Sequence, residues 1–454
     1  MAPETLHQPR TLAWGFPKEF GKIVDHAVAS GVIDLRLWIG PEPQCTYSRK
    51  DFMMPDLSFK HVSPVRCPDE AYQKVRMEMW AYMDMASRWT KMWPFNGFPY
   101  NRYDIHDYFN LFHRQLDYYY YLLTHHEIEL IVFDRIPHYG TDKILYELAK
   151  ALGINTIVFF VTIFPDLFFY VYDVKDFGLF SQVPPIHDYQ HYPVERKHEK
   201  LLPYMALIPH GRYTFATACK DFLKTRDLGV FSKYRRWKEF DENLEQYSTR
   251  DFDVTQPFVY FPLHYQPELT TSALGDTYSD QLLALERLSD NLPEGWTILV
   301  KENPAQSEFM RGRIFFERLA AIPNTKLVPR NVSTYYLIEH CRFVATVTGT
   351  AGYEAITGGK PALVFGRAWY MNFPGVFLFD DIIRKGITYP EVAAHRFSHD
   401  DLETALSSLI QKMGRGEICR ENYAIIEFDE EINGAKVADS LRKMIAGLYA
   451  RQTV

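Results

Sequence analysis

Between Val344 and Gly366 the chain reads Val-Ala-Thr-Val-Thr-Gly-Thr-Ala-Gly-Tyr-Glu-Ala-Ile-Thr-Gly-Gly-Lys-Pro-Ala-Leu-Val-Phe-Gly, an order that leaves few folds open. An apolar run, Phe343 to Val347, breaks at Thr348-Gly349-Thr350, where no side chain is bulky. Ala351 to Ile356 suits a helix, Gly358-Gly359 stops it, and Pro361 to Phe365 is the next buried strand. The turn sets backbone N–H groups and two hydroxyls at the positive end of a helix, a favourable place for a phosphate. An ordinary βαβ connection has the same outline.

The same rhythm runs through much of the chain. Thr11 to Phe16 reads as a strand, Glu19 to Ser30 as a helix and Asp34 to Ile39 as a second strand, the opening of a parallel α/β sheet. From Met53 to Tyr103 the rhythm is lost, and the Met-, Trp- and Tyr-rich segment around Arg76 to Trp93 reads as an inserted helix that packs or lines an acceptor site. Asp104 to His126 is a helix, Leu130 to Phe133 a strand, Thr141 to Leu152 a helix and Thr156 to Val161 a strand. A second series follows a polar, partly helical stretch: strand Phe258 to Leu263, helix Ser279 to Leu288, strand Thr297 to Lys301, helix Phe309 to Ala321, strand Lys326 to Val328 and helix Thr334 to His340. Asp400 to Met413 and Gly434 to Tyr449 are terminal helices. The expected organisation is two Rossmann-like domains, 1–245 and 246–454.

At 454 residues the chain is too long for one ordinary core. A net charge of -7 gives no field for a nucleic-acid backbone, although Arg235-Arg236-Trp237-Lys238 is a local basic patch. Cys45, Cys67, Cys219, Cys341 and Cys419 are scattered and odd in number, which suits a reducing compartment and argues against zinc. The N-terminus has no apolar signal region, and the most apolar window, Thr156 to Tyr172, is broken by Pro165-Asp166. A cytoplasmic protein is the expectation.

Two further strand ends carry chemistry. Leu299-Val-Lys-Glu-Asn-Pro304 places Lys301, Glu302 and Asn303 where a Lys neutralises a leaving phosphate. Phe261-Pro-Leu-His-Tyr-Gln-Pro267 offers His264 and Gln266, as ligand contacts or as loop packing. In the first half, Asp134, His138 and Asp142 follow the strand Leu130 to Phe133 and are candidates for acid, base or nucleophile. The simpler role for Asp134 is an ion pair with Arg135, and for His138 a helix cap or loop contact. P-loop, His-Glu-x-x-His, Gly-x-Ser-x-Gly and Gly-x-Gly-x-x-Gly motifs are missing, and Asp251-Phe-Asp253 precedes its strand instead of ending it.

Thr348, Thr350, Gly352, Tyr353, Glu354, Ala355, Gly359 and Lys360 together resemble the donor-side motif of bacterial capsule and lipopolysaccharide glycosyltransferases with two Rossmann-like domains, and more narrowly that of the Kdo transferases of capsule assembly. The resemblance is best from Phe258 to Gly366. It implies two domains facing a cleft, terminal helices crossing back to the first, and no metal or other cofactor. It also implies a nucleotide-sugar donor held by His264, Gln266, Lys301, Glu302, Asn303, Thr348, Gly349, Thr350, Gly352, Tyr353 and Glu354, with Glu354 on ribose hydroxyls. The acceptor would be a glycan or glycolipid, with peripheral contact to the inner membrane or to other polysaccharide-assembly enzymes. The family usually has His-Pro where this chain has Asn303-Pro304, and Asn carries no proton to give at neutral pH. A CMP-linked ulosonic acid such as Kdo is the favoured donor, since one phosphate needs fewer cations than two; Arg367 would suit a second. A UDP- or GDP-hexose transferase, a sugar-nucleotide epimerase and a binding protein without turnover are the alternatives.

Overall fold

A computed structural model describes residues 7–41, 43–48, 61–76, 105–138, 140–188, 193–194, 213–266, 269–308, 311–419 and 428–451. The chain divides into two compact units, Met1–Gln190 with Ser408–Val454, and His191–Ser407. The boundary expected at 245/246 therefore falls some fifty residues earlier. The reason is that helix Gly229–Tyr247 buries Phe240 and Leu244 in the core of the second unit. The expected helix Arg76 to Trp93 lies outside the described residues, apart from Arg76, which ends helix Asp69–Val75.

The first unit is built on a seven-stranded sheet, ordered β13-β6-β5-β4-β1-β2-β3. Its strands are β1 (Arg10–Trp14), β2 (Asp34–Gly40), β3 (Tyr47–Ser48), β4 (Leu130–Phe133), β5 (Asn155–Val161), β6 (Leu167–Val171) and β13 (Gly414–Arg415). From β3 to β5 the neighbours are parallel, whereas β6 pairs antiparallel with both β5 and β13. The apolar window 156–172 is thus an antiparallel pair: Pro165-Asp166 makes the turn, and Val158 pairs with Val171. Helix Glu430–Ala450 packs on helix Gly21–Ala29, with Lys22 and His26 both on Glu431 at 2.7 and 2.9 Å. Gly434 fits beneath the Lys22 carbonyl because it has no Cβ.

The second unit holds a six-stranded, all-parallel sheet in the order β12-β11-β10-β7-β8-β9. Its strands are β7 (Phe258–Pro262), β8 (Thr297–Lys301), β9 (Thr325–Val328), β10 (Phe343–Thr346), β11 (Ala362–Val364) and β12 (Val376–Leu378). Side chains alternate between the two faces of a strand, so both faces of a sandwiched sheet must be apolar. Val259, Phe261, Ile298 and Val300 fill the larger core on one face, and Phe258, Tyr260, Leu299 and Val344 a smaller core on the other. Helices Gln281–Asp290 and Thr334–His340 start on side-chain caps: Asp280 accepts from Leu282 N–H, and Ser333 from Tyr336 N–H.

In each sheet the chain starts in the middle, builds outward one way, then crosses back to build the other way. The reversal lies between β1 and β4 in the first unit and between β7 and β10 in the second. At such a point the connections leave in opposite directions, and a crevice opens at the carboxyl ends of the two strands.

Candidate active site at two strand reversals

At the β7/β10 reversal, His264 reaches across from the end of β7. Its Nε2 lies 2.9 Å from Thr346 Oγ1 and accepts from Thr348 N–H at 3.4 Å, while Gly349 N–H donates to Thr346 Oγ1 at 3.2 Å. Nε2 therefore carries no proton, and the Thr346 hydroxyl donates to it. Burial, then the nearby Arg311, lowers the His264 pKa to about 4. A neutral imidazole adds no charge to a phosphate; its work here is to shape the turn. A Cβ on Gly349 would press on that ring and on Thr346.

Thr348, Gly349 and Thr350 form the predicted turn, and helix Thr350–Thr357 starts on Gly349 with no side-chain cap. The Thr348 hydroxyl donates to the Thr270 carbonyl at 2.9 Å and Thr348 is buried, whereas Thr350 is half-buried. Gly352 is required by close approach: the Tyr370 hydroxyl donates to Gly349 O and occupies the place where a Cβ would stand. Tyr353 is buried against Trp369, Tyr370 and Phe373, a packing position.

Lys301 ends β8 on the same face as Leu299. Its Nζ donates to Thr334 Oγ1 at 2.8 Å, and only 6% of the residue is exposed. Burial, aided by Arg330, lowers its pKa to about 8, and Glu354 pulls the other way. The predicted Lys301 and Glu354 are thus in electrostatic reach of each other, with Tyr260 and Tyr335 also sensing Glu354.

The other predicted residues after β7 and β8 belong to an internal lattice. Arg311 Nε donates to Glu302 Oε2 at 2.7 Å, with both side chains wholly buried, and its other nitrogens reach Gln266 Oε1 at 2.8 Å and His264 O at 3.1 Å. Glu302 also accepts from Asn303 N–H, and Gln266 exchanges bonds with Gln306 and Ser279. From outside, Arg330 Nη2 donates to the carbonyls of Asn303, Pro304 and Gln306 at 3.0, 2.8 and 2.8 Å. Asn303 Oδ1 accepts from Ala305 N–H and so tightens the turn. Two arginines thereby fix the loop that presents Lys301. Neither was singled out from the sequence, because a lone Arg in a polar stretch looks like surface.

At the β1/β4 reversal of the first unit, Asp134 is buried and engaged. Arg135 Nε and Nη2 bind its two oxygens at 3.1 and 2.9 Å, and Phe16 N–H donates to Oδ2 at 3.2 Å. Gly15, at φ +95°, leaves room for the carboxylate that any Cβ would strike. The Arg135 ion pair considered from the sequence is therefore formed. His138 is buried with Nδ1 2.6 Å from Ile136 O, to which Nδ1 donates because a carbonyl only accepts. Asp142 is buried in the first turn of helix Thr141–Ala151. The three predicted residues thus line one β4-to-helix connection.

Residues 219–401 match the family model described as capsule polysaccharide biosynthesis protein. No curated protein matches the chain. Among solved structures, the chain is similar to KpsC of Thermosulfurimonas dismutans, described as a beta Kdo 2,7 transferase. That similarity stands at 16% identity over 51% of this chain and 66% of that one, with a TM-score of 0.27. A second KpsC structure, the beta Kdo 2,4 transferase, aligns at 13% identity over 70% and 87% with a TM-score of 0.31. UDP-GlcNAc 2-epimerase of Methanocaldococcus jannaschii aligns at 10% over 96% and 99% with a TM-score of 0.23. Scores of this size carry neither fold nor chemistry across. The match to the model described as capsule polysaccharide biosynthesis protein holds every donor-side residue from His264 to Glu354.

Proposed function

We propose that the protein is a glycosyltransferase of surface-polysaccharide assembly that works without a metal, holding a nucleotide sugar at the β7/β10 reversal. One observation carries the reading: within the family-matched segment, a helix-starting turn is held open by a neutral His264, and that helix bears Glu354 in reach of the buried amine Lys301. The start of helix Thr350–Thr357, with its Thr350 hydroxyl, and the Lys301 ammonium suit a small anionic charge, and Glu354 suits sugar hydroxyls. This donor set favours the single phosphate of a CMP-linked ulosonic acid such as Kdo.

In the reaction an acceptor hydroxyl oxygen attacks the anomeric carbon, the bond to the nucleotide phosphate breaks, and the hydroxyl proton passes to a base. The phosphate leaves with its charge met by Lys301 and the turn. Asp134 and His138 are the proposed proton acceptors, and the acceptor is a glycan or glycolipid. Asp134 can take a proton only when its bond with Arg135 loosens, whereas His138 in its neutral form, with Nδ1 donating to Ile136 O, would take the proton at Nε2.

Calorimetric titration with CMP, UDP and GDP, followed by assay of acceptor-dependent nucleotide release, tests the proposal. CMP should bind most tightly, Lys301→Ala and Thr350→Val should each weaken binding, and Asp134→Asn should bind nucleotide but lose turnover. Activity should survive chelation of divalent metals. Tighter UDP or GDP binding would overturn the donor class, and unchanged affinity in both donor-side variants would overturn the site.

A further inference from the structure

The second unit carries a surface that this function leaves unused. Helix Phe215–Thr225 and helix Gly229–Tyr247 form a hairpin, closed by Arg226 in the left-handed region and by Gly229 N–H on Asp227 Oδ1 at 2.8 Å. Its inner face is satisfied: Ala218 and Val230 are buried, and Phe231 touches both Phe215 and Phe222 at 6.1 and 5.5 Å between ring centroids. Its outer face is not. Phe215, Leu223 and Leu228 are 57, 66 and 72% exposed, among the most exposed large apolar residues described. Leu223 and Leu228 flank the turn, whereas Phe215 starts the first helix and packs on Phe231 and Tyr234.

Charge gathers in the same place. Residues 213–238 hold seven Lys or Arg against two Asp, a net of +5 in a chain whose total is -7. Lys220, Lys224, Arg226, Arg235 and Lys238 are exposed, and Asp221 is occupied by the Tyr213 hydroxyl at 2.8 Å. Leucines at a turn, ringed by lysines and arginines, match one kind of surface: an apolar interior beneath a layer of negative headgroups. No helix among the described residues is long and apolar enough to cross a membrane.

We infer that the tip of the 215–247 hairpin docks on the surface of an anionic bilayer, with Leu223 and Leu228 in the headgroup boundary and Lys220, Lys224 and Arg226 on the phosphates. The inference is independent of the nucleotide and sugar assigned above, since it uses no residue of that site.

Cosedimentation of the full chain with vesicles tests it, comparing phosphatidylcholine alone with phosphatidylcholine containing phosphatidylglycerol. Binding should require the anionic lipid and fall steeply with salt. Leu223→Glu with Leu228→Glu should weaken it about tenfold or more, and Lys220→Gln with Lys224→Gln roughly fivefold per charge removed. Both pairs should leave the circular dichroism and the thermal transition in place, since these side chains are exposed. Lack of vesicle binding by the unaltered chain, equal binding to both vesicle types, or undiminished binding by both variants overturns the inference. So does a finding that the hairpin captures a protein or a soluble acidic glycan while ignoring bilayers.

Discussion

Replacing Glu302 by Gln would remove one charge and almost no volume, from a place where the charge is fully enclosed. Glu302 and Arg311 are each 0% exposed at the side chain, and the guanidinium's acceptors outside that carboxylate, Gln266 Oε1 and the His264 carbonyl, are neutral; the weaker 3.4 Å bond to Glu302 Oε1 would lose its charge in the variant along with the 2.7 Å one. Gln also brings an N–H2 group that faces Arg311 or Asn303 N–H, two donors where an acceptor is needed. Breaking a buried pair from one side costs about 3–5 kcal/mol because the remaining ion stays out of water. Against a domain stability of roughly 5–15 kcal/mol that is a large fraction. At about 2–4 °C per kcal/mol for a unit of this size, the melting temperature should fall by ~6–20 °C. Differential scanning calorimetry measures the shift. The double variant Glu302→Gln, Arg311→Met removes both charges and should recover part of the loss. A single-variant shift below about 2 °C would refute the claim that this pair holds the loop. If the loop is intact at low temperature, nucleotide affinity there should be nearly unchanged, which separates support of the loop from contact with the ligand.

Lys301 titrates near pH 8 and is charged below it, so binding of an anionic nucleotide should weaken as pH rises through 8 to 9; Lys301→Arg should flatten that profile in calorimetric titrations from pH 6 to 10. For stability the sign is opposite in cause: the folded pKa lies below the unfolded value of 10.5, so the unfolded chain binds more protons between about 8 and 10.5, and this residue's contribution rises with pH across that window. His264, lowered from 6.5 to about 4, takes up its proton first in the unfolded chain. Its contribution is complete above pH 6.5 and is lost as pH falls towards 4, so urea midpoints of His264→Gln should vary less with pH in that range than those of the unaltered protein. Gly352→Ala should cost about 1–3 kcal/mol by overpacking against the Tyr370 hydroxyl, and Tyr370→Phe in the same chain should restore part of it in urea melts.

The central strands were legible because their apolar runs are short and end on turn residues. Leu130–Phe133, Thr297–Lys301 and helix Thr334–His340 fall where the residues put them, and the Thr348–Thr350 turn follows its strand. Three things were hidden. The strand Leu167–Val171 and its neighbour Gly414–Arg415 pair across nearly 250 residues, and no local pattern records such a partnership. The hairpin 215–247 has a polar, charged composition that reads as a linker until its few buried residues, Ala218, Val230, Phe240 and Leu244, are seen to face inward. Helix Arg313–Ala321 begins four residues later than expected, with Gly312 at its N-cap and Arg311 turned inward to Glu302. Charge state was hidden too: nothing in Pro-Leu-His-Tyr-Gln says that His264 is enclosed and neutral.

The first unit is discontinuous in sequence, and this sets an order of events during synthesis. Its strand Gly414–Arg415 and its helix Glu430–Ala450 leave the ribosome after the whole of the second unit, yet they pair with Leu167–Val171 and cover helix Gly21–Ala29, some 400 residues upstream. The second unit, continuous from His191 to Ser407, has all its strands available before then. At about 5–20 residues per second, the nascent chain spends ~10–50 s between the emergence of β6 and that of its antiparallel partner. For that interval the β6 edge and the apolar side of helix Gly21–Ala29 stand open, so the first unit, although its first strands precede the second unit, is complete only after it and is the one a chaperone would have to guard.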